Sequence, residues 1–157
     1  MEFKFSEENL QKIASVQKNY PDKRSSIMPV LYIAQEQNGW ISHEVMAEVS
    51  HLLEIPESEV YGVVTFYTMY HKKQVGKFHL QVCTNVSCML RGGYDIWNKI
   101  KDKYNLEDGG VTQDGKLSLE EVECMGSCGT APMIAINEDY FENLTPEKVI
   151  EIIDSLK

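Results

Sequence analysis

Four cysteines are the residues of this chain best suited to carry chemistry, and they come in two close pairs. Cys83 and Cys88 have four residues between them, and Cys124 and Cys128 have three. The second pair lies in the run Cys124-Met125-Gly126-Ser127-Cys128-Gly129-Thr130-Ala131-Pro132. Gly126 and Gly129 permit positive φ angles at no Cβ cost, so a loop this short can fold back and turn both sulfurs toward one point. Pro132 ends the loop and fixes entry into the apolar run Met133-Ile134-Ala135-Ile136. Four thiolates in two glycine-flanked pairs look like the donor set of one metal centre.

Three chemistries compete for such a set. An iron–sulfur cluster takes thiolates as its usual ligands, and a two-iron cluster needs four, although the spacing matches neither the plant-type nor the bacterial ferredoxin run. Structural zinc also accepts four thiolates with short gaps within each pair. A dithiol redox enzyme prefers Cys-x-x-Cys at a helix N-terminus, which is absent here. Spacing alone leaves the cluster and zinc readings both open. The histidines, His43, His51, His71 and His79, have no ligand spacing to either pair and read as surface or edge residues. No catalytic constellation, phosphate-binding glycine loop or dinucleotide fingerprint is present, and Gly92-Gly93 is too short to be one. If the protein serves a nicotinamide or flavin enzyme, another chain must hold those cofactors.

Composition narrows the class. A chain of 157 residues with 43% hydrophobic and 25% charged content can bury a real core, in one domain or two small ones. Its net charge of −9 argues against a nucleic-acid partner. Arg91, Lys99, Lys101 and Lys103 form a small basic group on one expected helix and read as a solvated face. No apolar run approaches the ~20 residues of a membrane span. The start, Met1-Glu2-Phe3-Lys4-Phe5-Ser6, has neither a signal-peptide core nor a transit-peptide composition, so a cytoplasmic location is expected, where structural disulfides are uncommon.

The elements that must position the cysteines follow from periodicity and punctuation. The first half reads as a small helical bundle. Ser6 caps a helix to about 19, with Phe5 and Leu10 at hydrophobic-staple positions. A second helix covers about 26–38, with Pro29 in its first turn and Gly39 as its C-terminal cap. Ser42 caps a third, with Val45, Met46, Val49, Leu52 and Leu53 inward, and Pro56 opens a fourth to about 64. Thr65-Phe66-Tyr67-Thr68-Met69-Tyr70 could extend that helix or leave it. Lys72-Lys73-Gln74-Val75-Gly76 marks the boundary between a bundle over 1–73 and a second domain over 77–157. There, Phe78, Leu80 and Val82 alternate with His79, Gln81 and Cys83 as a half-buried strand, and Cys88 falls in the loop after it. A helix over about 94–104 follows, with Ile96, Trp97, Ile100 and Tyr104 on one face. A loop to 116, strands over 117–123 and 133–137, a short strand at Tyr140-Phe141 and a final helix opened by Thr145-Pro146 complete the chain. Val149, Ile152, Ile153 and Leu156 face inward on that last helix. The order strand, helix, strand, strand, strand, helix is that of a thioredoxin-like α/β layer. No internal repeat or low-complexity segment interrupts it.

These residues resemble a known family, the small thioredoxin-like [2Fe–2S] ferredoxin subunit of respiratory NADH:quinone oxidoreductase. They are also similar to small subunits of NAD-linked hydrogenases and formate dehydrogenases. Met28-Pro29-Val30-Leu31 through Ala34-Gln35-Glu36-Gln37-Asn38-Gly39-Trp40-Ile41 looks like the family's second helix and its exit, and Val60-Tyr61-Gly62-Val63-Val64-Thr65-Phe66-Tyr67 looks like its fourth. Val82-Cys83 with Cys88, and Glu123-Cys124-Met125-Gly126-Ser127-Cys128 with Ala131-Pro132, fit its ligand loops. Leu117 departs from the family, which often has phenylalanine there, and touches packing rather than ligation. The resemblance implies an α/β fold, a helical bundle followed by a [2Fe–2S] domain, with Cys83, Cys88, Cys124 and Cys128 binding one cluster. It implies a flavoprotein partner carrying FMN, the NADH site and a further iron–sulfur cluster, and a larger iron–sulfur subunit beside it. It places the protein peripherally on the cytoplasmic side of the inner membrane if the host is the respiratory complex. Glu120, Glu121 and Glu123, just before the second cysteine loop, would disfavour added negative charge on a cluster, and loop N–H groups aimed at the sulfurs would favour it.

Overall fold

The structure, a computed structural model, describes residues 2–157. The chain forms two compact units, one ending at Gln74 and the other running Val75–Lys157.

Among the described residues, the first unit holds four α-helices, with a 3-10 turn at Arg24–Ser26 ahead of the second. In α1, Glu7–Gln17, the Ser6 side chain accepts the Asn9 N–H. Phe5 is buried as the staple requires, but Leu10 is 40% exposed, and Ile13 is the residue of α1 that enters the core. In α2, Ile27–Asn38, Val30, Leu31, Ile33 and Ala34 face inward, and Gly39 closes the helix at φ +83°. There the Gly39 N–H donates to Gln35 O at 2.7 Å, a conformation that costs a residue with a Cβ about 1–2 kcal/mol. In α3, His43–Leu53, the Ser42 hydroxyl accepts the Val45 N–H. Val45, Met46, Val49 and Leu53 are buried, with Leu52 partly so.

Helix α4, Glu57–Phe66, resolves the ambiguous aromatic stretch. Thr65 and Phe66 extend the helix, and the chain leaves it at Tyr67 in extended conformation. The rings then divide. Tyr70 is 1% exposed and its hydroxyl donates to Met28 O at 3.0 Å, so it belongs to the bundle core. Phe66 is 77% exposed, Tyr61 is also exposed, and Trp40 and Tyr67 are half-buried.

The second unit is a five-stranded sheet with helices packed on it. Its elements are β1 (Phe78–Cys83), α5 (Val86–Leu90), α6 (Gly93–Tyr104), β2 (Gly110–Val111), β3 (Leu117–Val122), β4 (Ile134–Ile136), β5 (Asp139–Phe141) and α7 (Pro146–Ser155). The strand order is β2-β3-β1-β4-β5. β1 runs parallel to β3, and the other neighbouring pairs are antiparallel. Leu80 and Val82 of β1, Leu117 and Leu119 of β3 and Ile134 and Ile136 of β4 bury one face with Ile96, Trp97 and Ile100 of α6 and Val149 and Ile153 of α7. Each such side chain contributes about 1.5–3 kcal/mol of transfer free energy. Thr145 caps α7 by accepting the Lys148 N–H, and Pro146 occupies the first turn, where no amide partner is lost.

The structure corrects several expectations in this unit, and the expected loop up to 116 contains the short strand β2. Cys88 is on a helical turn, α5, because the Asn85 carbonyl accepts the Met89 N–H and its side chain accepts the Val86 N–H. Arg91 caps α5 and is not on α6, while Lys101 and Lys103 of α6 pair with Glu107 and Asp154. His79 is neither a surface nor an edge residue. β1 is a central strand, and His79 is only 5% exposed, with Nδ1 2.8 Å from Ser118 Oγ and Nε2 2.9 Å from Glu120 Oε2.

Candidate metal centre

The parallel pairing of β1 with β3 brings together cysteines far apart in sequence. Phe78 is level with Leu117 and Cys83 with Val122, so the two strands end side by side. Each cysteine pair begins at such an end: Cys83 is the last residue of β1, and Cys124 is the second residue after β3. Loops after adjacent parallel strands share one edge of a sheet, which is where such folds build sites.

The first pair is packed in apolar surroundings. Cys83 and Cys88 are 3% and 2% exposed and cluster with Ala131 and Met133, with Val122 and Met125 against them. The Cys83 thiol donates to Glu123 O at 3.3 Å. Gly93 allows the close approach of α6, since a Cβ there would meet Cys83 O and Cys88 O at 2.9 Å. Burial, then the hydrogen bond with Cys83, pushes the Cys88 thiol up to about 11, against the Met133 N–H, which favours the thiolate.

The second pair is exposed. Cys124 Sγ and Cys128 Sγ are 4.0 Å apart, twice a disulfide bond length, and all four cysteines are free. Gly126, at φ +79°, lets the loop reverse, and its N–H points at Cys124 Sγ from 3.4 Å. Gly129, expected to share that role, instead lies within a 3-10 turn at Cys128–Thr130.

The carboxylates before this loop are all engaged. Glu120 meets His79, Glu121 accepts from the Thr84 hydroxyl at 2.7 Å, and Glu123 accepts from the Asn85 amide at 3.3 Å. No residue-type signal singled out Asn85 or Gly93 for the site, or the 140–144 segment that meets the second loop. Only the fold places them there.

Residues 13–157 match the family model described as thioredoxin-like [2Fe-2S] ferredoxin. The chain belongs to that family. An NADH-quinone oxidoreductase subunit of Rickettsia bellii is 48% identical over 158 residues, covering 99% of this chain and 95% of that protein. The mitochondrial NADH dehydrogenase [ubiquinone] flavoprotein 2 of Dictyostelium discoideum is 40% identical, covering 99% of this chain and 64% of that protein. Among solved structures, an NAD+-reducing [NiFe]-hydrogenase in its H2-reduced state shares the fold, with a TM-score of 0.70 at 18% identity over 82% of this chain and 22% of that one.

The cofactor of a thioredoxin-like [2Fe-2S] ferredoxin is a [2Fe–2S] cluster, and the donor set here fits one. Two thiolates on one tetrahedral metal with bonds of about 2.3 Å stand about 3.8 Å apart. The 4.0 Å separation of Cys124 and Cys128 is close to that. Amides of Gly126 and Met133 directed at sulfur are the donors that a cluster's negative charge needs. Family membership sets the zinc reading aside.

Proposed function

We propose that Cys83, Cys88, Cys124 and Cys128 hold one [2Fe–2S] cluster, and that the chain is an electron-transfer subunit in the NADH-oxidising module of a respiratory NADH:quinone oxidoreductase. In this reading it exchanges electrons with FMN on a flavoprotein subunit that also carries the NADH site and an iron–sulfur cluster. A larger iron–sulfur subunit adjoins that module. The observation that carries the reading is the side-by-side exit of β1 and β3, which delivers one thiol pair from each strand end. The near full-length likeness to the Rickettsia bellii protein supports the respiratory host. The hydrogenase likeness, at 18% identity, speaks to fold alone.

When bound, the cluster supplies one-electron redox chemistry. The protein's part is to hold four sulfurs, exclude water from one pair by packing, and direct N–H groups at the thiolates. Residues 77–157 contain all four sulfurs, and we assign cluster binding to them. The bundle over 1–73 presents Tyr61 and Phe66 on α4, and we assign those rings to docking on the flavoprotein, since aromatics are enriched at interface cores. No helix among the described residues is long and apolar enough to cross a membrane. We assign the subunit a peripheral place on the cytoplasmic side of the inner membrane.

Protein purified without oxygen should be brown, with about two irons and two sulfides per chain. Stoichiometric zinc in that material would reject the reading. NADH should bleach the cluster only when the flavoprotein is also present, because this chain has no dinucleotide-binding fingerprint.

A further inference from the structure

We propose that Glu142, helped by Tyr140, is a positioning residue for the Cys124/Cys128 pair. The inference rests on those two cysteines being cluster ligands. Both are exposed, so no apolar shell orients them. The loop is held instead by a row of hydrogen bonds from the end of β5 and the residues just after it. The Tyr140 hydroxyl donates to Met125 O at 3.1 Å, one residue past Cys124. The Glu142 carboxylate accepts from the hydroxyls of both Ser127 and Thr130, the latter at 2.7 Å, and these two residues flank Cys128. The two hydroxyl oxygens are themselves 2.6 Å apart. Behind them, Asn143 N–H donates to Thr130 O at 2.8 Å and Leu144 N–H to Pro132 O at 3.1 Å.

Counting protons explains why an acceptor is needed at 142. Three oxygens meet, and the two hydroxyls bring only two protons. Both hydroxyls can give their protons to residue 142 only if it offers an acceptor oxygen there, and the Ser127–Thr130 edge then carries no proton. A carboxylate offers one, since an ionised carboxyl has acceptor sites alone. With both hydroxyls tied to one Oε1, rotating the 3-10 turn Cys128–Thr130 breaks those bonds, which biases the direction of the Cys128 side chain. The exposed pair is therefore braced from the β5 side, Cys128 through Glu142 and Cys124 through Tyr140.

The test uses the full-length, cluster-loaded protein with E142A, E142Q and Y140F. The readouts are the rate of cluster loss to a chelator, the spectrum of the reduced protein by electron paramagnetic resonance, the midpoint potential, and hydrogen exchange of amides 125–130. E142A should lose its cluster about three- to tenfold faster, the net worth of an exposed hydrogen bond. It should also show faster exchange in the loop and an altered resonance. E142Q keeps an acceptor oxygen but not the charge. It should retain the cluster nearly as well as the parent while its midpoint potential rises. Y140F should shift exchange near Met125 more than near Thr130.

E142A that matches the parent in cluster loss, resonance and exchange would overturn the proposal. So would E142A and E142Q that lose the cluster equally fast with loop exchange unchanged, since charge and not position would then be acting. If Cys124→Ser and Cys128→Ser both leave the cluster intact, the ligand assignment itself fails, an outcome separate from the behaviour of Glu142.

Discussion

The two cysteine pairs meet at one end of the sheet but are held there by different physics. Cys83 and Cys88 sit among Ala131, Met133, Val122 and Met125, so volume and burial orient them. Cys124 and Cys128 stand in a solvent-facing loop whose shape comes from directional bonds to Tyr140, Glu142, Asn143 and Leu144. Packing keeps water away from the buried pair, whereas each exposed hydrogen bond competes with water and nets only about 0.5–1.5 kcal/mol. The buried pair should therefore behave as a fixed half-site and the exposed pair as the half that opens first.

The largest effect expected of this contrast is on the cluster itself. Cys→Ser at any of the four positions keeps shape but loses the soft thiolate, and iron and sulfide content should collapse. A variant that keeps the parent's spectrum and iron content would remove that residue from the ligand set. In metal-free protein under native conditions, a thiol-alkylating reagent followed by mass spectrometry should label Cys124 and Cys128 long before Cys83 and Cys88. Equal labelling rates would erase the distinction between the pairs.

Two glycines sharpen it further. Gly93→Ala places a methyl 2.9 Å from two backbone carbonyls of the buried pair, which cannot step aside. Thermal or denaturant unfolding should show a loss of about 1–3 kcal/mol, the usual cost of overpacking. Gly126→Ala meets open space but forces φ +79° on a residue with a Cβ. Its cost should be about 1–2 kcal/mol, confined to the exposed loop and visible mainly as faster cluster loss. If Gly126→Ala perturbs the spectrum more than Gly93→Ala does, the buried pair is not the more rigid half.

The smallest effect should come from removing the helical unit. A fragment over 75–157 contains both pairs, the whole sheet and the Glu142 brace, so it should load a cluster with a near-parent spectrum. A folded fragment that never acquires iron would show that the pairs depend on residues outside that unit.

Much of the local structure was legible in the residues alone. Ser6, Ser42 and Thr145 are short hydroxyl side chains ahead of periodic apolar runs, and each accepts a third-residue amide as a cap. Gly39 after Asn38 announced a left-handed helix end, and alternation in 78–83 announced a strand. These are interactions within a few residues, so the sequence states them directly. The four cysteines were equally visible, because thiol type and spacing are properties of the chain itself.

What local reading got wrong depended on which elements became neighbours. His79 looked like the polar side of an edge strand, but β3 and β4 flank β1, and His79 is buried with Ser118 and Glu120 among its polar partners. Whether the stretch ending at Tyr70 extended or left its helix was open in the sequence, and it is Met28, distant in sequence, that accepts the Tyr70 hydroxyl in the bundle core. No pattern marks Glu142 as a brace, because its partners Ser127 and Thr130 reach it only through the β4–β5 turn. Helices, caps and the identity of four thiols are short-range matters, written into neighbouring residues. The parallel run of β1 beside β3 is a long-range one, and it came from the packed sheet: two distant cysteine pairs leave the same end because those two strands pair in register.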